Sequence, residues 1–482
     1  MWNRFFALIV TCLLFPASVQ AQSAYKIDVE VKGFAADEAF LAYYYGDKQY
    51  IKDTVAVSDG KFTFTADEPL DGGIYLVVLP PDNQYFEIIV DKDQTFSLKT
   101  DTVDMAGNMV VQGSEDNKIF YADLHFLAEQ RKKMEKLSTS MASLEEGSAA
   151  KIKVQEEINT INEGVKSHRL AMVDAHPEML YSKVILAMKE PEIPADVQAE
   201  GQEATFYWYR ARYLEGLDFQ DDRLLRTPVM WNKVKTYLDN LTVKSPDSII
   251  SSAVMMIEKT RGNDDLFQFM VVNILNKYAQ SKVMGMDAVY VALVEKYYMS
   301  GDAFWADEEQ VNKMAERALA ISPTIIGRKA PNFRMQDTNG DWQSLLGVEG
   351  KYTILYFWDY DCGHCKKITP ALAAIYPDYI QHDVKFVAVS INGDIEVWKQ
   401  KVAEYGLTPA INLQDHRRQS GFDGMYDIRS TPRIFILDEN KNIVAKQISV
   451  DQVRDILDHE LGLEPSSTGE KLDLGDEGEG EE

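Results

Sequence analysis

From Ala24 to about Val111 apolar and polar residues alternate in short runs, most clearly in Tyr25-Lys26-Ile27-Asp28-Val29-Glu30-Val31 and Lys61-Phe62-Thr63-Phe64-Thr65. A period of two places successive side chains on opposite faces of a strand, so each run predicts a half-buried β-strand. Turn residues at Asp59-Gly60, Asp71-Gly72-Gly73 and Pro80-Pro81-Asp82 separate the runs. The pattern predicts an antiparallel β domain over residues 24–112. It holds no cysteine or histidine, which makes metal or nucleophilic chemistry there a poor expectation.

Beyond Ser114 the period changes. Val154, Ile158, Ile161 and Val165 recur by four and three along one helical face. Two long, charged helices are expected over Asp116 to Ser143 and Ala149 to Asp174, joined through Glu145-Glu146-Gly147-Ser148 as an αα-hairpin. Further helices are expected at Tyr181 to Met188, Thr205 to Leu217, Val229 to Leu241, Asp247 to Thr260, Asp265 to Gln280, Met286 to Met299 and Glu308 to Ile321. Residues 113–322 therefore read as an all-α domain whose Met and aromatic side chains fill its interior.

A third pattern starts after Ser322-Pro323. Tyr352 to Trp358 is a largely apolar, β-forming run, and a helix follows from Cys365 to about Ile375. Val384 to Ile391 reads as a buried strand and Glu396 to Tyr405 as a helix. Arg433 to Leu437 and Ile443 to Ile448 flank the turn Asp438-Glu439-Asn440-Lys441-Asn442, and Val450 to Leu461 closes as a helix. A βαβ unit, a hairpin and a final helix make an α/β domain with a mixed sheet over residues 323–463.

The ends differ from these three regions. Arg4, an apolar run from Phe5 to Phe15 and the small-residue pattern Val19-Gln20-Ala21 lay out a signal peptide over residues 1–21, too short for a membrane span. The mature chain is expected to be exported, periplasmic and without a membrane span. Thr11 before Cys12, and an apolar run that continues past it, argue against lipidation. Residues 464–482 form an acidic tail nearly free of large apolar residues, expected to be disordered and solubilising. The 482-residue chain has a formal charge of -26, which excludes nucleic acid and anionic membrane surfaces as expected partners.

With Cys12 in the export segment, the mature chain keeps two cysteines, Cys362 and Cys365, in a Cys-Gly-His-Cys motif. A disulfide closing so short a loop stabilises by only about 2 kcal/mol, against roughly 4.7 kcal/mol for a 100-residue loop. It is a weak staple and a good place for redox chemistry. A cysteine where a strand meets a helix N-terminus has its thiolate stabilised by unpaired N–H groups and the helix dipole, so Cys362 is the expected nucleophile. Cys365, one turn on, is placed to resolve a mixed disulfide formed at Cys362. Gly363 allows close approach, and His364 brings a donor or a positive charge near the thiolate.

These residues carry a resemblance. The segment from Gly327 to about Leu463 resembles an exported thioredoxin-like domain of the TlpA/ResA (AhpC/TSA-like) type. Its marks are Gly327-Arg328-Lys329-Ala330-Pro331-Asn332-Phe333, Trp358 four residues before Cys362, Pro370 five beyond Cys365, and Ser430-Thr431-Pro432 before a strand. The β region resembles a β-sandwich-like domain of unknown function that precedes thioredoxin-like domains in exported bacterial proteins. The helical region resembles an uncharacterised module of exported Bacteroidetes proteins. The resemblance implies a thiol–disulfide oxidoreductase with no cofactor, acting as a reductase in cell redox homeostasis. It further implies a cis Thr431-Pro432 bond that shapes a substrate groove, a kink at Pro370, and Trp358 beneath the motif. Disulfide-containing exported proteins and a membrane or periplasmic thiol redox partner are the implied partners.

The chain also departs from that pattern. Tyr356 stands six residues before Cys362, where thioredoxin carries a buried acid, and Ile368 stands where some ResA-like proteins carry a glutamate. The proton acceptor for Cys365 is thus unassigned. Asp359 and Asp361 are candidates, and their charge would oppose the helix dipole at the thiolate. A peroxidase is disfavoured, since Asp359 and Leu355 stand where that pocket needs a hydroxyl and a proline. The alternatives are copper delivery through Cys362, His364 and Cys365, short of the usual four zinc ligands, and a non-enzymatic binding protein with a vestigial redox domain.

Overall fold

A computed structural model describes residues 24–464; the expected signal peptide and all but the first residue of the acidic tail lie outside them. The chain divides into two compact units, one ending at Tyr237 and the next beginning at Leu238.

The first unit opens with eight strands: β1 (Tyr25–Lys32), β2 (Glu38–Tyr45), β3 (Lys48–Ala56), β4 (Lys61–Ala66), β5 (Gly73–Leu79), β6 (Gln84–Val90), β7 (Thr95–Asp101) and β8 (Val110–Gln112). They form two four-stranded sheets, ordered β4-β1-β7-β8 and β3-β2-β5-β6. The alternation in β1 sorts as expected, with Tyr25, Ile27, Val29 and Val31 buried. At the β3–β4 turn Asp59 and Gly60 both have positive φ, and a Cβ on Gly60 would stand 2.4 Å from the Val31 carbonyl oxygen, so glycine is required.

One pairing corrects the expectation of a wholly antiparallel domain. β1 runs parallel to β7, from Lys26 opposite Thr95 to Lys32 opposite Asp101. Parallel neighbours need a long crossover connection, here the whole run from β2 to β6, and alternation within a strand does not encode such non-local partners.

Helices follow: α1 (Glu115–Ala142), α2 (Ala149–Ala175), α3 (Leu180–Met188), α4 (Ala195–Ala199), α5 (Gln202–Arg212) and α6 (Val229–Asn240). Ser114 and Ser148 cap α1 and α2, each accepting a hydrogen bond from the backbone N–H three residues on. Buried residues in α1 stop at Asp123. There the fully buried Asp123 carboxylate accepts from the Tyr181 hydroxyl at 2.6 Å and pairs with Arg169 at 3.3 Å and His168 at 3.2 Å. This one carboxylate ties α1, α2 and α3 together.

In the second unit α7 (Pro246–Lys259), α8 (Asp264–Ala279), α9 (Asp287–Leu293) and α10 (Glu308–Ile321) precede the α/β region. The single helix expected over Met286 to Met299 is instead α9 followed by a π-helical turn over Val294–Tyr298. Val289, Tyr290, Val291, Leu293, Val294, Tyr297 and Tyr298 are all buried while Glu295 and Lys296 are exposed, so the apolar pattern runs on through the segment without marking the change of winding.

The α/β region contains β9 (Arg334–Asp337), β10 (Trp342–Ser344), β11 (Tyr352–Trp358), α11 (Gly363–Ile380), β12 (Val384–Ser390), α12 (Ile395–Glu404), β13 (Ile411–Gln414), α13 (Phe422–Met425), β14 (Arg433–Asp438), β15 (Ile443–Lys446) and α14 (Val450–Leu461). Its seven-stranded sheet has the order β10-β9-β13-β12-β11-β14-β15. β11 is parallel to β12 and antiparallel to β14. Ile354, Tyr356 and Trp358 enter one core cluster and Leu355 and Phe357 the other. Burial on both faces explains why β11 reads as a continuous apolar run. The segment leading into the sheet is bonded to β15 and its turn, Gly327 N–H to the Ile443 carbonyl and Ala330 N–H to that of Lys441, each at 2.8 Å. Lys446, its side chain 4% exposed at the end of β15, is ion-paired with Asp287 in the first turn of α9.

Candidate active site

β11 ends at Trp358, the loop Asp359 to Asp361 follows, and Cys362 is the N-cap residue of α11. The motif therefore sits at the end of a strand flanked on both sides and at the start of an 18-residue helix. Both thiols are free; Cys362 is partly exposed and Cys365 fully buried.

Their environments push them apart. Burial alone would raise the Cys362 thiol, but the backbone N–H of Cys365, the Cys365 side chain, the Thr431 side chain and the backbone N–H of His364 outweigh it. The result is a thiol held below its ordinary range by the unpaired donors of a helix N-terminus. Burial pushes Cys365 up to about 11, against the Asp359 backbone N–H, which donates to its sulfur at 3.4 Å, and against the Thr431 side chain. Two cysteines one turn apart thus differ in both access and acidity.

The structure places Thr431-Pro432, a cis peptide, beside the motif. The Cys362 thiol donates to the Thr431 carbonyl at 3.4 Å. His364 is exposed, and its contribution to Cys362 comes through its backbone N–H. A Cβ on Gly363 would meet nothing within 4 Å, so packing within the described residues does not require glycine there. Trp358 is fully buried, with its indole edge-on to Tyr360 and Tyr405. Pro370 lies inside α11, where it withholds an N–H from the helix ladder.

Asp359 and Asp361, weighed from sequence as proton acceptors, belong to the loop's frame. The Asp359 carboxylate accepts from the Asp361 N–H at 2.7 Å and from the Asn392 side-chain amide at 2.9 Å. Asn392 in turn accepts from the Tyr360 N–H at 3.1 Å, and the Gln414 amide donates to the Asn392 carbonyl at 2.6 Å. Neither Asn392 nor Gln414 is legible as a site residue, because Asn392 follows a strand pattern that signals only burial and Gln414 ends β13, a strand too short to show a period. The Arg433 guanidinium folds back on Ser430, donating to the carbonyl at 3.3 Å and the hydroxyl at 3.1 Å.

Beneath Cys365, the fully buried Tyr356 and Thr369 hydroxyls are 2.8 Å apart. Burial, then the charge of Cys365, hold the Tyr356 phenol well above its usual range. Among the described residues no group of three or more His, Cys, Asp or Glu is arranged to hold a metal ion.

Known proteins resemble each of the three regions of the chain. Residues 326–446 match the AhpC/TSA family model, residues 129–320 a domain of unknown function (DUF5106), and residues 25–120 another (DUF4369). Thiol-disulfide oxidoreductase ResA of Bacillus thuringiensis is 27% identical over 155 residues, 32% of this chain and 80% of that one. ResA of Geobacillus kaustophilus is 32% identical over 124 residues, 26% of this chain and 68% of that one. Among solved structures, a domain of a possible thiol-disulfide isomerase from Cytophaga hutchinsonii is 35% identical, covering 29% of this chain and 95% of that one with a TM-score of 0.28. A thioredoxin-like protein from Bacteroides caccae is 18% identical, covering 56% and 97% with a TM-score of 0.44. Through the thioredoxin-like domain built around Cys362 and Cys365, the chain belongs to the ResA family of thiol-disulfide oxidoreductases.

Proposed function

We propose that this protein reduces disulfides of exported proteins by dithiol exchange, with Cys362 as attacking nucleophile and Cys365 as resolving thiol. The observation that carries the reading is the asymmetry of the pair: a partly exposed thiol lowered at a helix N-terminus, and a buried thiol at about 11 one turn further on. Attack by the Cys362 thiolate forms a mixed disulfide, and Cys365 displaces the substrate as its thiol. Thr431 and Pro432 form the ledge along which the substrate backbone lies. A periplasmic location follows from the export signal read in residues 1–21, and the reductase direction from the family resemblance.

The test is the Cys365→Ala variant, which should accumulate mixed disulfides through Cys362 with exported proteins in cells. A reduction potential more negative than about -200 mV supports the reductase direction, and one near the roughly -120 mV of a strong oxidant reverses it. Failure of the wild type to reduce any model disulfide, with no partner trapped, sinks the reading.

A further inference from the structure

We propose that Asn392 is a positioning residue for Cys365: it clamps the loop between β11 and α11 so that the Asp359 backbone N–H stays aimed at the Cys365 sulfur as that sulfur takes on charge. This role deepens the proposed function and rests on Cys365 being the resolving thiol.

One residue of the loop touches both cysteines. The Asp359 N–H donates to the Cys365 sulfur at 3.4 Å, and the Asp359 carbonyl accepts from the Cys362 N–H at 3.3 Å. Asn392, in the loop after β12, ties that residue down from outside. Its side-chain amide donates to the Asp359 carboxylate at 2.9 Å and accepts from the Tyr360 N–H at 3.1 Å. The orientation of the amide is forced, because the Tyr360 N–H can only donate and an ionised carboxylate can only accept. Asn392 is itself pinned by the buried Gln414 side chain, which donates to its carbonyl at 2.6 Å. The tie therefore crosses the ends of three neighbouring parallel strands, β13, β12 and β11. The Asp359 carboxylate, which also accepts from the Asp361 N–H at 2.7 Å, is taken up by this frame, and its backbone N–H is left as the loop's contact with Cys365.

In the resolving step the Cys365–Cys362 sulfur bond forms and the bond from Cys362 to the substrate sulfur breaks. The electron pair leaves with the substrate sulfur, so the substrate is reduced and the cysteine pair oxidised. The proton released by Cys365 passes to the departing sulfur or to solvent. Cys365 is fully buried, so its charge gains little from water, and a donor already fixed in place stabilises it without reorganisation. The titratable groups that bear on Cys365 are Cys362 at the start of α11 and Tyr356 on β11. Cys362 is served differently: the backbone donors that lower it, the N–H groups of His364 and Cys365, belong to α11 and not to the clamped loop.

The experiment uses the full chain and a chromogenic aromatic disulfide. The first aryl thiol released reports attack by Cys362, and the second reports resolution by Cys365. Asn392→Ala should slow the second release about fivefold and move its pH profile upward by about half a unit, leaving the first within about twofold of wild type. Asn392→Asp has the same shape but turns a carboxylate oxygen toward Asp359, and should slow the second release at least as much. Combining Asn392→Asp with Asp359→Asn exchanges donor and acceptor across the clamp and should bring the second release back to within about twofold of wild type. An unchanged second release in both single variants, both releases slowed equally, or no recovery in the exchanged pair overturns the role of Asn392 alone. A wild type that gives only one release overturns the resolving role of Cys365, and this inference with it.

Discussion

Cys362 donates its thiol proton to the carbonyl oxygen of Thr431 at 3.4 Å. Ionisation removes that bond, and the Thr431 side chain is among the groups that hold the Cys362 thiol low. Thr431 is therefore placed to interact with Cys362 in either state, through its backbone with the thiol and through its hydroxyl with the thiolate.

Thr431→Val keeps the shape of that ledge and removes the hydroxyl. The Cys362 pKa should rise, and alkylation of Cys362 at pH 7 should slow about fivefold, the equivalent of roughly 1 kcal/mol for one hydrogen bond. Rates of iodoacetamide labelling against pH test this; an unshifted profile refutes a role for the hydroxyl.

Cys365 makes the stability of the reduced protein depend on alkaline pH. Its folded value of about 11 lies above the ordinary 9.0, so between those values the folded state binds more protons than the unfolded. Its contribution is fully present below pH 9 and is lost as pH rises through 11. Reduced wild type should thus lose up to about 2–3 kcal/mol relative to Cys365→Ala between pH 9 and 11, measured by urea denaturation. Equal pH slopes for the two would contradict it.

Asp116 behaves as a carboxyl out of place. Burial first, then the charges of Asp91 and Asp93, push it up to about 6, and its Oδ1 has no hydrogen-bond partner. Its folded value exceeds the unfolded one, so stability is present below pH 4 and lost as pH rises through 6. Asp116→Asn should therefore stabilise the protein at pH 7 by about 1–2 kcal/mol, and the gain should vanish near pH 4. Thermal unfolding at the two pH values distinguishes this from a gain that ignores pH.

Removing the Asp123 carboxylate should have the opposite effect. Asp123→Ala leaves the Tyr181 hydroxyl and the Arg169 guanidinium without their buried acceptor. A loss of about 3–5 kcal/mol is expected, against a smaller one for Asp123→Asn, which retains an oxygen for Tyr181. Chemical denaturation of both variants gives the comparison.

What was legible in the sequence follows from how local each signal is. The α10 boundaries, the hairpin turn at Asp438 to Asn442 and the last helix were read directly, because caps, turns and period lie within the segment itself. β9, β10 and β13, of four, three and four residues, are too short to show a period and were missed. α5 ends at Arg212 rather than Leu217, since an apolar stretch continues past the point where the helix stops. At the site, the two cysteines and Thr431-Pro432 were readable as motifs. Tyr356 registered only as a missing acid: its partner Thr369 lies 13 positions away on another element, and pairing across a strand and a helix leaves no trace in either period.

The ion pair of Lys446 with Asp287 bears on how the catalytic machinery can be isolated. The change of composition at Ser322 invites a cut there, yet the cut would strip a nearly buried ammonium of its counter-ion and uncover the strand end that carries it. The piece that keeps this pair is the one beginning at Leu238, which takes with it helices that share no motif with the redox chemistry. Transplanting or minimising the enzyme therefore means carrying along part of a module of unknown function, because inheritance units and packing units do not end at the same residue.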